Sequence, residues 1–412
     1  MRRLRGGSRT SATGGQNRRV PPPAFPIVLA NGPPAERLQE VADAGVTMLR
    51  TGIADWREAS IAGQLAAERA KLDAAAAHGL QCWVWLGALT NLPAGAPSPQ
   101  ERLLTRVVEE LRTHPALGAW KGHDEPHNPF NPGQSIPPAN LARGHRAVRA
   151  LDPDHPLVIV QAPRGRVDAL VPYRPALDIA GVDIYPVAYP PGRHSDQPNN
   201  DISVVGDVTR WIHRAAGAKP VWVTLQVAWS GVIPTHDDPG RVPRFPSGAE
   251  LRFMAYQAIV NGARGLVFFG GHLTEVMSPA DAAAGWNWTY WHQALQPLVQ
   301  QLSSASLAPA LVAPAPKLAV RASTKDVELA VRQTDRFTYL IAVRRGGGTS
   351  RVTFTGLPRG VRGGQVLFEY VQDPPPPPIV PANQKFRSVA VGNGAFADWF
   401  APHDVHVYRF AR

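Results

Sequence analysis

Two carboxyl side chains stand at the ends of apolar runs, where a proton could pass to or from a bound molecule. Glu125 closes the segment Trp120-Lys121-Gly122-His123-Asp124-Glu125-Pro126, and Asp183 lies near the end of the run Asp178 to Pro186. Cleaving a glycosidic bond takes a carboxylic acid to protonate the leaving oxygen and a second carboxylate to attack the anomeric carbon or activate water. Glu125 fits the acid, with His123 and Asp124 beside it to shift its pKa. Its alternative is to cap the next helix or pair with Arg50 or Lys121. Asp183 fits the second carboxylate: on an alternating strand it shares a face with Gly181 and Tyr185, while Val182 and Ile184 point toward covering helices. Its alternative is a structural acid bonding loop amides or Arg50. If the two cooperate, their carboxylates should lie about 5 to 10 Å apart.

Such groups need rigid elements to hold them. Strand-like apolar segments alternate with helical patterns, the signature of a parallel sheet covered by helices. The strands are expected at Pro26 to Ala30, Val46 to Arg50, Gln81 to Leu86, Leu117 to Lys121, Leu157 to Gln161, Ile179 to Ile184, Val221 to Gln226 and Gly265 to Phe269. Ser98-Pro99-Gln100-Glu101 is a capping box with proline at the first helical position, and Ser247 precedes Glu250 in the same way. Gly45, Gly79, Gly217 and Gly262 follow helical patterns as left-handed caps. Eight strands without a glycine-rich dinucleotide fingerprint predict an α/β fold of the (β/α)8 TIM barrel type over residues 25–308.

In such a barrel the site lies at the C-terminal strand ends. The polar and aromatic residues there are Asn31, Arg50, Trp85, His123, Asp124, Glu125, Gln161, Asp183, Tyr185, Gln226, Trp229 and His272. Arg50 is placed to orient a carboxylate, and Asp124, Gln226 and Tyr185 to hold sugar hydroxyls. Sugar C–H faces stack on aromatic rings, which points to Trp85, Tyr185, Trp229 and the group Trp286, Trp288, Tyr290 and Trp291, with Trp229 the preferred platform and Trp291 the one expected to be merely buried. Asp237, Asp238, Glu275 and Asp281 fall on long rim loops and are expected to be solvated. The 13 histidines show no zinc-binding spacing and there is no phosphate-binding loop, so neither metal nor cofactor is expected. The lone cysteine, Cys82, sits in an apolar run and is expected to be a buried, inert thiol.

From residue 309 the pattern changes to short β-rich pieces separated by turns, predicting a small antiparallel β-sandwich over residues 309–412. These pieces are Leu318 to Arg321, Val327 to Arg332, Thr338 to Val343, Arg351 to Phe354, Val366 to Tyr370, Ser388 to Val391 and Val405 to Phe410, with the Pro374 to Pro378 run as a loop between strands. Residues 1–24 form a basic tail without the apolar core of a secretory signal. The net charge of +11 is concentrated in the two ends: residues 1–20 hold six Arg and no acid, and residues 309–412 hold 14 basic against 7 acidic side chains. The remaining 23 basic and 25 acidic side chains leave the body at −2, which argues against nucleic acid as a partner. No apolar run is long enough to span a membrane.

The segment Trp120 to Pro126 resembles the fourth-strand motif of the clan A glycoside hydrolases, in which a polar residue, Glu and often Pro follow an apolar strand. Asp178 to Pro186 and Ala263 to Gly271 resemble that clan's sixth and eighth strands, and Phe396 to Pro402 with Val405 to Arg409 is similar to the last strands of sandwich domains appended to such barrels. The resemblance implies a glycosidase acting on an oligo- or polysaccharide, with Glu125 as acid/base. Two departures stand out: Gln226 occupies the seventh-strand place of the nucleophilic Glu, and Asp124 replaces the usual Asn. An amide cannot form a glycosyl ester. Asp183 then takes the second carboxylate's role; the alternatives are a carbohydrate-binding barrel without hydrolysis, or a lyase with Tyr185 or His123 as base.

Overall fold

The computed structural model describes residues 23–30, 32–95, 97–127, 135–189, 194–227, 242–270, 290–371 and 385–412. Eight parallel strands close into a barrel: β1 (Ile27–Leu29), β2 (Met48–Gly52), β3 (Gln81–Trp85), β4 (Leu117–Asp124), β5 (Leu157–Gln161), β6 (Ile179–Ile184), β7 (Val221–Gln226) and β8 (Gly265–Phe269). Each neighbours the next, and β1 closes on β8 with Ile27 opposite Leu266. Each segment picked out by its apolar pattern is therefore a barrel strand, its ends moved by no more than three residues.

Alternation sorts the strand side chains into two layers. Val28, Met48, Trp83, Ala119, Val158, Ile179, Trp222 and Val267 fill the interior, where Trp83 meets Trp222 edge-on at 5.7 Å. Outward residues such as Val84, Val182 and Leu225 pack against the helices. The interior is thus solid below, and space opens only above the strand ends. The helices start as their caps require: Ser98 Oγ accepts from the Glu101 N–H ahead of Pro99, and Ser247 and Glu250 form a reciprocal capping box. Gly45, Gly79, Gly217 and Gly262 all take positive φ. Cys82 is buried, and burial pushes its thiol up to about 12, which makes it inert.

A short helix, Ala308–Val312, leads into two antiparallel sheets. One has the order Arg321–Ala322, Ser350–Thr355, Ala395–Phe400; the other runs Val327–Gln333, Phe337–Arg344, Val405–Ala411, Gly363–Tyr370, Phe386–Ala390. Apolar patterning leaves out Ala395–Phe400, because its Asp398 and Trp399 break the run, but the resemblance of Phe396 to Pro402 to a sandwich strand marks it, and cross-strand pairing from Ser350–Thr355 holds it. The Pro374 to Pro378 loop and residues 1–22 lie outside the described residues.

The strand Phe337–Arg344 of the larger sheet faces two cores at once. Leu340 and Ala342 turn inward among Phe354, Phe396, Tyr408 and Phe410, while Tyr339, Ile341 and Val343 join the barrel's own core. Polar contacts reinforce this seam. Arg345 reaches Asp207 (2.6 Å) and Glu328 (2.7 Å), Glu328 accepts from Gln257 (2.9 Å) and Asn261 (3.0 Å), and Arg252 donates to the Val405 carbonyl (2.8 Å).

Candidate active site

β4 does not run regularly to its end. Lys121 pairs with Val158 but Asp124 pairs with Val160, so three residues of β4 span two of β5. The extra residue is a bulge, which re-aims the side chains that follow it. Strict alternation would place Lys121, His123 and Glu125 on one face and Asp124 on the other. With the bulge, Lys121, Asp124 and Glu125 all line one cavity at the barrel mouth. His123 is half-buried and absent from that lining, its Nδ1–H donating to the Asp124 carbonyl (2.8 Å). Glu125 itself sits at φ +44, a left-handed conformation that costs a residue with a Cβ about 1–2 kcal/mol. Its N–H donates to the Val160 carbonyl (2.8 Å), which helps hold the turn in place. Strain retained at a cavity mouth is a mark of function.

The cavity has a volume of about 160 Å³ and is walled by Arg50, Lys121, Asp124, Glu125, Asp183, Tyr185 and Thr224 over a floor that includes Trp83, Val160 and Val267. Asp183 lies on the inner face of β6 with Gly181 and Tyr185, as alternation predicts, and is only 5% exposed. Its carboxyl is in hydrogen-bond contact with Glu125. The two carboxyls are therefore close neighbours in the same cavity wall. The bulge and the left-handed turn bring Glu125 down onto Asp183. Burial, then the charges of Glu125 and Asp124, push Asp183 well above the ordinary carboxylate range, so of the two it keeps its proton to the higher pH. Burial also raises Glu125, opposed by the hydrogen bond from Asp183 and by Lys121 and Arg164.

Lys121 is 3% exposed and paired with Asp124, its Nζ 4.2 Å from the centre of the Trp85 ring. Burial pulls its ammonium pKa down, and Asp124 opposes that pull. The Arg50 guanidinium also approaches Trp85, at 5.2 Å, while its Nε donates to the Ala30 carbonyl (2.6 Å). Trp85 is fixed by its own Nε1–H to the Gly122 carbonyl (3.0 Å). Gly52, at φ +78, lets the end of β2 lie close against β3, since a Cβ there would lie 2.3 Å from the Trp85 backbone nitrogen. Trp85 therefore does not wall the central cavity as a sugar platform would; it carries two cations and walls the neighbouring groove.

Tyr185 does line the cavity, stacked on Phe269 at 5.3 Å and against His194 at 4.5 Å. Burial and the neighbouring carboxyls push its phenol well up. Gln226 is fully buried and away from the lining. Its amide Nε2 donates to the Val187 carbonyl (3.0 Å) and its Oε1 accepts from the Val187 N–H (2.8 Å). Both ends of the amide are thus held by the backbone beyond β6, and the side chain is buried away from the cavity. Trp291 is fully buried, its Nε1–H bonded to Glu40 (3.0 Å). Trp229, His272, Asn31, Trp286, Trp288, Asp237, Asp238, Glu275 and Asp281 lie outside the described residues. Thr224 and Phe269 were not singled out from the sequence. Thr224 is recoverable, two residues before Gln226 on the same strand face, whereas an apolar Phe269 carries no chemical signal. Among the described residues, no group of three or more His, Cys, Asp or Glu could hold a metal ion, and no helix is long and apolar enough to cross a membrane.

No family model and no curated protein matches this chain in sequence. Its fold is similar to that of solved glycoside hydrolases. A family 30 subfamily 8 xylanase from Clostridium acetobutylicum matches at 12% identity over 96% of this chain and 97% of that one, with a TM-score of 0.52. A family 5 glycoside hydrolase from Bacteroides vulgatus matches at 13% identity over 94% and 89%, with a TM-score of 0.58. The α-amylase of Geobacillus thermoleovorans, complexed with acarbose, matches at 10% identity over 92% and 91%, with a TM-score of 0.52. The fold is thus that of the glycoside hydrolase barrels, with a C-terminal sheet domain appended.

Proposed function

We propose that this protein is a glycoside hydrolase in which Glu125 is the general acid. The observation that supports this reading most is the Glu125–Asp183 contact in the cavity wall, where burial raises the pKa of both carboxyls above the ordinary carboxylate range. Glu125 gives its proton to the glycosidic oxygen as the bond to the anomeric carbon breaks. Asp183, still protonated, donates its hydrogen bond to the carboxylate left on Glu125 and spreads the new charge over two groups. Because the pair sits on one side, the base for the attacking water must be a different group. Asp124 is the remaining carboxylate on the described wall, paired with Lys121.

The test is Glu125→Gln, assayed beside wild type on a panel of polysaccharides and aryl glycosides. Loss of a general acid should lower turnover by roughly 10²–10⁴, with the larger defect on poorer leaving groups, while the melting temperature is kept. Equal turnover by both proteins on a responsive glycoside would remove Glu125 from the mechanism. A second reading, carbohydrate binding without hydrolysis, draws on the tie between Gln226 and Val187, which leaves no side-chain carboxylate at the usual place on β7. Calorimetric binding of an oligosaccharide with no product after long incubation would favour it.

A further inference from the structure

Arg50 is the unbalanced charge of this site. Its Nε is occupied by the Ala30 carbonyl and its plane packs on Trp85. Among the described residues, no acceptor meets its two terminal amino groups. The acids around it are engaged elsewhere: Asp124 is paired with Lys121, and Asp183 is bonded to Glu125. A half-buried guanidinium with its fork open is uncommon, because removing a charge from water is costly without a partner. With Glu125 and Asp183 both protonated, as the acid step above requires, the wall carries Arg50 and Lys121 against Asp124 alone, one positive charge in excess. Arg50 also stands in the wall shared by the cavity and the adjoining groove of about 560 Å³, so it is reached from both.

We propose that Arg50 is a specificity-determining residue that receives the carboxylate of an acidic sugar, a uronate, seated in the cavity. The free edge of the guanidinium presents two parallel N–H donors, which match the two oxygens of a planar carboxylate better than a single hydroxyl or a tetrahedral sulfate. This rests on the hydrolase reading for the cavity's charge state, but the experiment separates the two.

The experiment is calorimetric binding to Glu125→Gln, which can hold substrate without turning it over, with methyl glycosides of glucuronate and galacturonate in both anomers, their neutral glucose and galactose counterparts, and the glucose 6-sulfate glycoside. At least one uronate should bind roughly tenfold or more tighter than its neutral partner. Arg50→Met in the same background should weaken uronate binding roughly tenfold more than neutral-sugar binding, and Arg50→Lys should restore only part of that difference; melting temperatures confirm that each variant folds. Equal binding of uronates and neutral sugars, or equal loss of both in Arg50→Met, overturns the proposal. Tightest binding by the sulfated sugar overturns the assignment to a carboxylate. Cleavage of neutral glycosides by wild type without a uronate preference would leave the hydrolase reading standing and this one failed. A uronate preference without any hydrolysis would do the reverse.

Discussion

The carboxyl of Asp183 meets that of Glu125 in the cavity wall, joining the inner face of β6 to the strained end of β4. Function and stability are opposed at this contact, and the opposition can be measured.

Asp183 keeps its proton in the folded state over a range where the unfolded chain has lost it. Its contribution is therefore fully present below the unfolded carboxylate pKa and is lost as pH rises through the raised folded value. Asp183→Asn retains a neutral hydrogen-bond donor of the same shape and cannot ionise. Its melting temperature relative to wild type should rise by a few degrees between pH 4 and pH 8. A difference independent of pH would show that Asp183 is not held protonated.

Glu125 occupies a left-handed conformation that glycine adopts freely. Glu125→Gly removes both that strain and a desolvated carboxyl, so the variant should be inactive yet at least as stable as wild type, by up to about 1 kcal/mol. Chemical denaturation checks this, and a marked destabilisation would mean that the side chain holds the turn together.

Lys121 lowers the Glu125 pKa, and Asp124, which it neutralises, raises it. In Lys121→Met both changes act in one direction. The basic limb of kcat/KM against pH should move to higher pH, because Glu125 keeps its proton longer. An unmoved limb would detach Lys121 from the acid.

Restoring a carboxylate on β7 should not create a nucleophile. In Gln226→Glu the donor to the Val187 carbonyl is lost and an ionised oxygen would face that carbonyl. We expect a stability loss of about 1–3 kcal/mol with no gain in turnover, measured by denaturation and by assay together.

Arg345 bridges Asp207 on the barrel and Glu328 on the sheet domain. Arg345→Ala leaves two partly buried carboxylates short of a partner, at a cost of about 1–3 kcal/mol given their partial exposure. Because the two cores are continuous across the seam, calorimetry should show one lowered transition. Two separated transitions would show that the domains melt independently.

The barrel was legible in the sequence because burial on a strand is a local, periodic property: eight apolar runs, capped helices and glycine stops each declare themselves within a few residues. The same periodicity placed Asp183 with Gly181 and Tyr185 on one face. Glu125 and Arg50 were recognisable as strand-end groups, but not whom they touch. The bulge in β4 depends on its register against β5, and it moved His123 out of the cavity wall and Asp124 into it. Gln226 reads as a site residue at its position on β7 until the backbone at Val187, 39 residues away, takes both ends of its amide. Residue type and pattern determined which side chains are present at the mouth; packing across strands decided which carboxyls meet and which cation is left unpaired, because those depend on distances between segments remote in the chain.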